Sequence, residues 1–289
     1  MKIVDSHHHL WNIDELYYPW LTDAIRPVAY GDYSAIRKNY LLSDFRCDIG
    51  TLDVVKSVHV EAGHDPRHPV VETRWLQEIA DDPRSNGFPH AIVAFVDLSR
   101  PDAAKIVDQH QKFANVRGIR QMLHFGPGMS FLSHDVWRRN VAELSGRALS
   151  FDLQIQPAQM ELAAEVIELN PDLQFILDHA GCPPTPPNDD RSWASGLERL
   201  SMLPNLVVKL SGFGMSNPAW TAASIEPIVR RMLGLFGVER CMFGSNFPVE
   251  SLMKDYHSTW AEFGKAVSHL SSFEQELLFA KNAERVYRI

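Results

Sequence analysis

Eight short apolar runs, separated by longer stretches of helical character across 289 residues, predict an α/β chain folded as a (β/α)8 TIM barrel. A doubly wound sheet is the competing arrangement, but no Gly-x-Gly-x-x-Gly follows the first run. The runs fall at residues 3–5, 54–60, 91–96, 116–120, 150–155, 174–177, 206–210 and 241–244. Short apolar runs of this kind suit strands covered on both faces. Helical periodicity occupies 70–80, 103–113, 136–144, 159–169, 225–235 and 274–280. Length alone would allow two domains, but barrels reach this size as one unit, so 1–289 is expected to be a single domain. The proline-rich stretch 183–187, followed by Asn188-Asp189-Asp190, reads as a long loop after the sixth strand rather than a linker. The aromatic, irregular region 19–40 reads as a loop over the barrel mouth.

Composition narrows the function. Lys and Arg number 28 against 36 Asp and Glu, a formal net charge of −8. With 45% hydrophobic residues the chain is not of the disordered type, and its acidic balance speaks against nucleic acid as a partner. No window offers the run of about 18 apolar residues that a membrane span needs. The start, Met1-Lys2-Ile3-Val4-Asp5, has no apolar signal region. Cys47, Cys182 and Cys241 are too scattered for a disulfide framework or a metal knuckle. These features lead us to expect a cytoplasmic protein acting on a small molecule, and they leave a homo-oligomer open.

Chemistry in a parallel barrel sits at the carboxyl ends of the strands. The first run continues into Asp5-Ser6-His7-His8-His9. Alternation puts His7 and His9 on one face and His8 on the other, and two imidazoles so placed suit a shared divalent ion. A tag remnant is the plain alternative, but the run is continuous with a strand start and with Leu10-Trp11. The sixth run ends in Asp178-His179-Ala180-Gly181, and the eighth in Gly244-Ser245-Asn246-Phe247-Pro248. Gly-Ser after the last strand could instead grip a phosphate. Asn246 hydrogen-bonds but takes no proton at neutral pH. Other strand ends supply His59 with Glu61, Arg120 with His124, Asp152 with Gln154, and Lys209 with Ser211. Singly, each could cap a loop. Together they predict a polar, partly cationic pocket, with Arg120, Asp152 and Lys209 as substrate-binding candidates for carboxylate or hydroxyl groups. Cys182 lies three residues beyond His179, but no orienting residue accompanies that pair as a nucleophilic couple.

The motifs resemble the amidohydrolase superfamily, in its amidohydrolase-2 group of TIM-barrel lactone hydrolases, which includes L-fuconolactonase-like and 2-pyrone-4,6-dicarboxylate lactonase-like enzymes. The resemblance covers nearly the full length. It rests on Val4-Asp5-Ser6-His7-His8-His9-Leu10-Trp11, Tyr18-Pro19-Trp20-Leu21, Val116-Arg117-Gly118-Ile119-Arg120, Asp178-His179-Ala180-Gly181 and Phe243-Gly244-Ser245-Asn246-Phe247-Pro248. It implies a barrel of the metal-dependent-hydrolase type, with His7, His9 and His179 holding a divalent metal, zinc foremost. It also implies that Arg120 binds a substrate carboxylate. Two positions depart from the family pattern: Asn246 stands where an aspartate is usual, and Cys182 where a lysine is common. The implied reaction is water attack on the carbonyl of a small sugar-acid or dicarboxylate lactone. Asn246 would orient groups, and His124, Glu61 or Asp178, in that order, would serve as base. Without the aspartate, the sequence leaves open whether an ion is bound or imidazoles alone polarise the carbonyl. Lactone isomerisation, decarboxylation and a catalytically inactive ligand-binding barrel are the alternatives.

Overall fold

The structure is a computed structural model that describes residues 1–28, 31–184 and 191–289. The eight strands are β1 (Ile3–His8), β2 (Val54–Val60), β3 (Ala91–Phe95), β4 (Val116–Met122), β5 (Ser150–Gln154), β6 (Gln174–Leu177), β7 (Leu206–Leu210) and β8 (Cys241–Phe243). Each pairs in parallel with the next, in sequence order. A parallel bridge between His8 and Phe247 joins the last strand to the first. The carboxylate of Asp5 fastens the same seam, accepting from Ser245 N–H at 2.8 Å, Ser245 Oγ–H at 2.6 Å and Tyr256 O–H at 3.0 Å. This is the (β/α)8 barrel that the apolar runs predict.

Helices Val70–Asp81, Ala103–His110, Asp135–Ala142, Met160–Glu168 and Ala222–Phe236 fall where the periodicity places them. Leu42–Ile49, Arg191–Ser201 and Tyr256–Ala266 add three that the periodicity does not single out. The helical stretch expected to stop at 280 runs on through Asn282–Tyr287. In the 19–40 region, the short helices Pro19–Thr22 and Ser34–Ile36 lie between irregular segments. Of the proline-rich loop, residues 185–190 lie outside the described residues.

The barrel interior changes character along its axis. Val4, Val58, Ala91, Ile176, Val207 and Met242 form an inner apolar cluster together with residues of the last helix. Two positions further along the strands, Val207 gives way to Lys209 and Ile176 to Asp178. The inner face is therefore apolar at one level and ionic at the next. In β1 the pairing with β2 is irregular between Asp5 and His8. That irregularity lets both Val4 and His7 face inward although strict alternation would separate them.

Candidate active site

The ends of β1, β6 and β8 carry the three imidazoles and the carboxamide that the sequence singles out. His7 sits between the other two histidines, with ring centroids 5.0 Å from His9 and 4.7 Å from His179. His8 points the other way. It stacks on Phe45 of the Leu42–Ile49 helix at 4.2 Å and bonds to Ser57 Oγ at 2.9 Å. His179 lies in the left-handed region at φ 54°, and so do Ala180 and Cys182. Such backbone is unfavourable for a side chain of this size and marks a loop held in place by its surroundings. Ser211 Oγ supplies one tether, 2.9 Å from His179 Nδ1. Gly212 supplies another, because any Cβ there would collide with the imidazole.

Below the histidines lies a buried ionic layer. Lys209 donates to Asp152 at 2.5 Å and stands 3.3 Å from Asp178, with all three side chains fully buried. Tyr287 O–H, from the last helix, also donates to Asp152 at 3.0 Å. Asp178 is 3.6 Å from His7 Nδ1 and 3.6 Å from Arg120. Among the described residues neither Asp178 oxygen has a hydrogen-bond partner, so these are close approaches rather than hydrogen bonds. Arg120 donates through Nε to Glu61 Oε1 at 2.8 Å, through a terminal nitrogen to the Glu61 carbonyl at 2.6 Å, and to Gln154 at 3.2 Å.

Burial sets the protonation states. It drives His9 and His179 down to about 3, with Arg120 lowering both further. It also drives His7 well below its ordinary value, with the Lys209 ammonium adding to the effect. All three imidazoles are therefore neutral at pH 7 and able to offer a lone pair. Burial works against ionisation of Asp178, but the Lys209 ammonium beside it opposes burial, and the carboxyl is held well below its ordinary range. Burial raises Asp152 to about 6, with Lys209 opposing. It also lifts Glu61, with Arg120 opposing.

The structure redistributes several expected roles. The imidazoles of His7, His9 and His179 come together, but the compact donor group is His7, Asp178 and His179, whose ligand atoms lie within 4.8 Å of one another. His9 stands slightly apart: its Nδ1 bonds to the Val60 carbonyl at 2.7 Å, and its side chain also meets Asn246. Asp152 and Lys209, expected to hold substrate, are instead fully buried against each other, and Lys209 also lies 3.4 Å from His7 Nδ1. Strand alternation reveals which face a residue takes but not its depth. Glu61 is paired with Arg120 at 2.8 Å, both side chains buried. His59 faces outward from β2. Its Nδ1 accepts from Leu10 N–H at 3.1 Å, and its Nε2 lies 3.9 Å from Glu72. His124 stays partly exposed at the rim with Nδ1 unpartnered, and burial lowers it to about 4 with help from Arg120. Burial pushes the Cys182 thiol up to about 12, which removes it as a nucleophile at neutral pH. Two residues give no signal in the sequence: Tyr287, which reaches Asp152 from the last helix, and Glu250, which lies against Asn246.

A model of the amidohydrolase family matches residues 4–289. An uncharacterized protein of Sinorhizobium fredii is 41% identical over 297 residues, covering 100% of this chain and 99% of its own. The L-fucono-1,5-lactonase of Burkholderia ambifaria is 26% identical over 300 residues, covering 99% of this chain and 95% of its own. A crystal structure of an amidohydrolase from Burkholderia multivorans with bound zinc superposes with a TM-score of 0.84 at 26% identity, covering 100% of both chains. The chain belongs to the amidohydrolase family and is an enzyme of that family.

Proposed function

We propose that the enzyme opens a small lactone, of a sugar acid or a dicarboxylate, by attack of water on the ring carbonyl. One observation carries this reading: His7 lies between His9 and His179 at the barrel mouth, beside an Asp178 whose two oxygens are both without a hydrogen-bond partner among the described residues. The resemblance of the whole chain to an L-fucono-1,5-lactonase supports the lactone class.

The donor set fits a divalent metal. His7 Nε2 and both Asp178 oxygens are buried without hydrogen-bond partners among the described residues, and two neutral imidazoles with one carboxylate form a set that zinc accepts. The buried charges agree, because Arg120 and Lys209 face three carboxylates in Glu61, Asp152 and Asp178. His7, Asp178 and His179 would hold the ion, with His9 beside them. A divalent ion there supplies Lewis acidity for the charge that develops on the carbonyl oxygen.

The chain's own groups do the rest. Asn246 orients the attacking water. His124, neutral and without a hydrogen-bond partner at Nδ1 among the described residues, takes a proton from that water and returns it to the ring oxygen as the ester bond breaks. The Lys209 ammonium keeps Asp178 ionised. Arg120 fixes Glu61 and directs its remaining N–H groups toward substrate oxygen.

The test is NMR of a panel of sugar-acid and dicarboxylate lactones with the wild type and with His179→Asn. Ring-opened acid from the wild type alone supports the reading. An isomeric lactone, released CO2, or no turnover of any compound would overturn it.

A further inference from the structure

Asn246 leaves a question that its own position does not answer. A carboxamide has two ends of nearly equal shape, one a donor and one an acceptor, and only its partners decide which end faces the site. Glu250 provides such a partner. It sits on the turn Val249–Leu252 just after β8, and it is 1% exposed. Its Oε1 accepts from Trp220 Nε1–H at 2.5 Å and from Gly214 N–H at 3.0 Å. Gly214 is required there, because a Cβ would run into that carboxylate. Among the described residues the other oxygen, Oε2, is buried with no hydrogen-bond partner, and so is Asn246 Nδ2. The two side chains lie against each other, and Asn246 also meets His9. The Lys254 ammonium, which lies over the Trp220 ring at 4.9 Å, acts on the Glu250 carboxylate and lowers its pKa.

We propose that Glu250 is a positioning residue: its Oε2 accepts from Asn246 Nδ2 and so turns the Asn246 carboxamide oxygen toward His7, His9 and His179. An ionised carboxylate accepts hydrogen bonds and donates none, so it tolerates only the NH2 end of the amide. The amide oxygen then faces the site as an acceptor for the attacking water. Glu250 thus supplies, through the intervening amide, the negative charge that an aspartate at 246 would bring. The catalytic part of this inference rests on the function proposed above, while the orientation of the amide does not.

Glu250→Gln separates positioning from simple support. The new side chain keeps an oxygen for Trp220 and Gly214 but sets an NH2 group opposite Asn246, which favours the reversed amide. Asparagine-selective 15N labelling, with Asn246→Asp to assign the signal, reads the amide directly with no lactone present. Burial raises Glu250 to about 7, so spectra and rates are taken at about pH 8.5, where its carboxylate is ionised. We expect the Asn246 side-chain resonances to move in Glu250→Gln while the thermal midpoint holds. For a lactone that the wild type opens, kcat should fall about tenfold or more with KM nearly unchanged, as for a misplaced catalytic group. Asn246→Asp combined with Glu250→Gln should recover much of that loss, since the introduced glutamine can donate to one Asp oxygen and leave the other facing the histidines. Unmoved resonances in a folded Glu250→Gln, or a double variant no better than Glu250→Gln, would overturn the proposal. Should Glu250→Gln fail to fold, Glu250→Asp shortens the reach and tests the same resonance. If the resonances move but the wild type opens no lactone, the proposed function fails while the amide assignment stands.

Discussion

The backbone N–H of Asn246 donates to the carbonyl of His7 at 2.7 Å. Two residues beyond His7, the N–H of His9 donates to the carbonyl of Phe247 at 2.7 Å. The bonds that close the barrel are therefore the bonds that hold the carboxamide beside the first-strand histidines. Asp5 secures this seam through Ser245 and Tyr256. Asp5→Ala leaves those buried donors without an acceptor and should destabilise the protein by about 2–4 kcal/mol in urea unfolding. A loss under about 0.5 kcal/mol, the range of an ordinary surface change, would show that the seam does not depend on Asp5.

Lys209 is the cation between two buried carboxylates. Lys209→Met should cost about 3–5 kcal/mol, the usual penalty for a buried charge left alone. Adding Asp152→Asn should restore part of that loss, because one of the stranded charges is removed. Equal stability of the single and double variants would contradict the pairing.

Arg120 binds Glu61 through both its carboxylate and its carbonyl. Lysine keeps the charge but loses the planar fork. Arg120→Lys should therefore lose about 1–3 kcal/mol of stability, one to two charge-assisted hydrogen bonds. If Arg120 acts mainly by holding Glu61, Glu61→Gln should raise KM as much as Arg120→Lys does. A KM effect confined to Arg120→Lys would point to direct substrate contact.

Acid should weaken the metal-free fold. Burial holds His9 and His179 at about 3, His8 at about 3 and His110 at about 4, and it depresses His7 and His59 as well. Once unfolded, each takes up a proton near its ordinary value. The unfolded chain then binds more protons below about pH 6.5, so stability falls as pH drops through that window. Asp5, Glu61, Glu72, Asp152 and Glu250 oppose this, since burial raises them and the folded form holds their protons. They are fewer than the depressed histidines. In EDTA, the urea midpoint at about pH 5 should lie below that at about pH 7. An equal or higher midpoint at the lower pH would contradict the neutral imidazoles.

The strands are legible because buried parallel strands are written as contiguous apolar runs. β1 extends further than its apolar part because its final three residues, Ser6, His7 and His8, are polar. Helix Arg191–Ser201 is hard to read because Gly196 and the serines at 192, 195 and 201, weak helix formers, dilute its periodicity. For the site, strand-end position is enough to choose His7, His9, His179 and Asn246. Alternation does not reveal partners, so it offers Asp152 and Lys209 to substrate although they are buried against each other. Nor does it place His59, which faces a helix. Glu250 is invisible in the sequence because its partners Gly214 and Trp220 lie 36 and 30 residues away, and only folding brings them to it.

The central claim is that His7, Asp178 and His179 form one centre on which lactone opening depends. Zinc titration of metal-free wild type, Asp178→Asn and His179→Ala, followed by calorimetry and paired with lactone turnover, tests it most directly. Wild type should bind one ion per chain, and both variants should lose binding and turnover together. Full turnover by wild type in EDTA, or zinc binding that survives both substitutions, would contradict it.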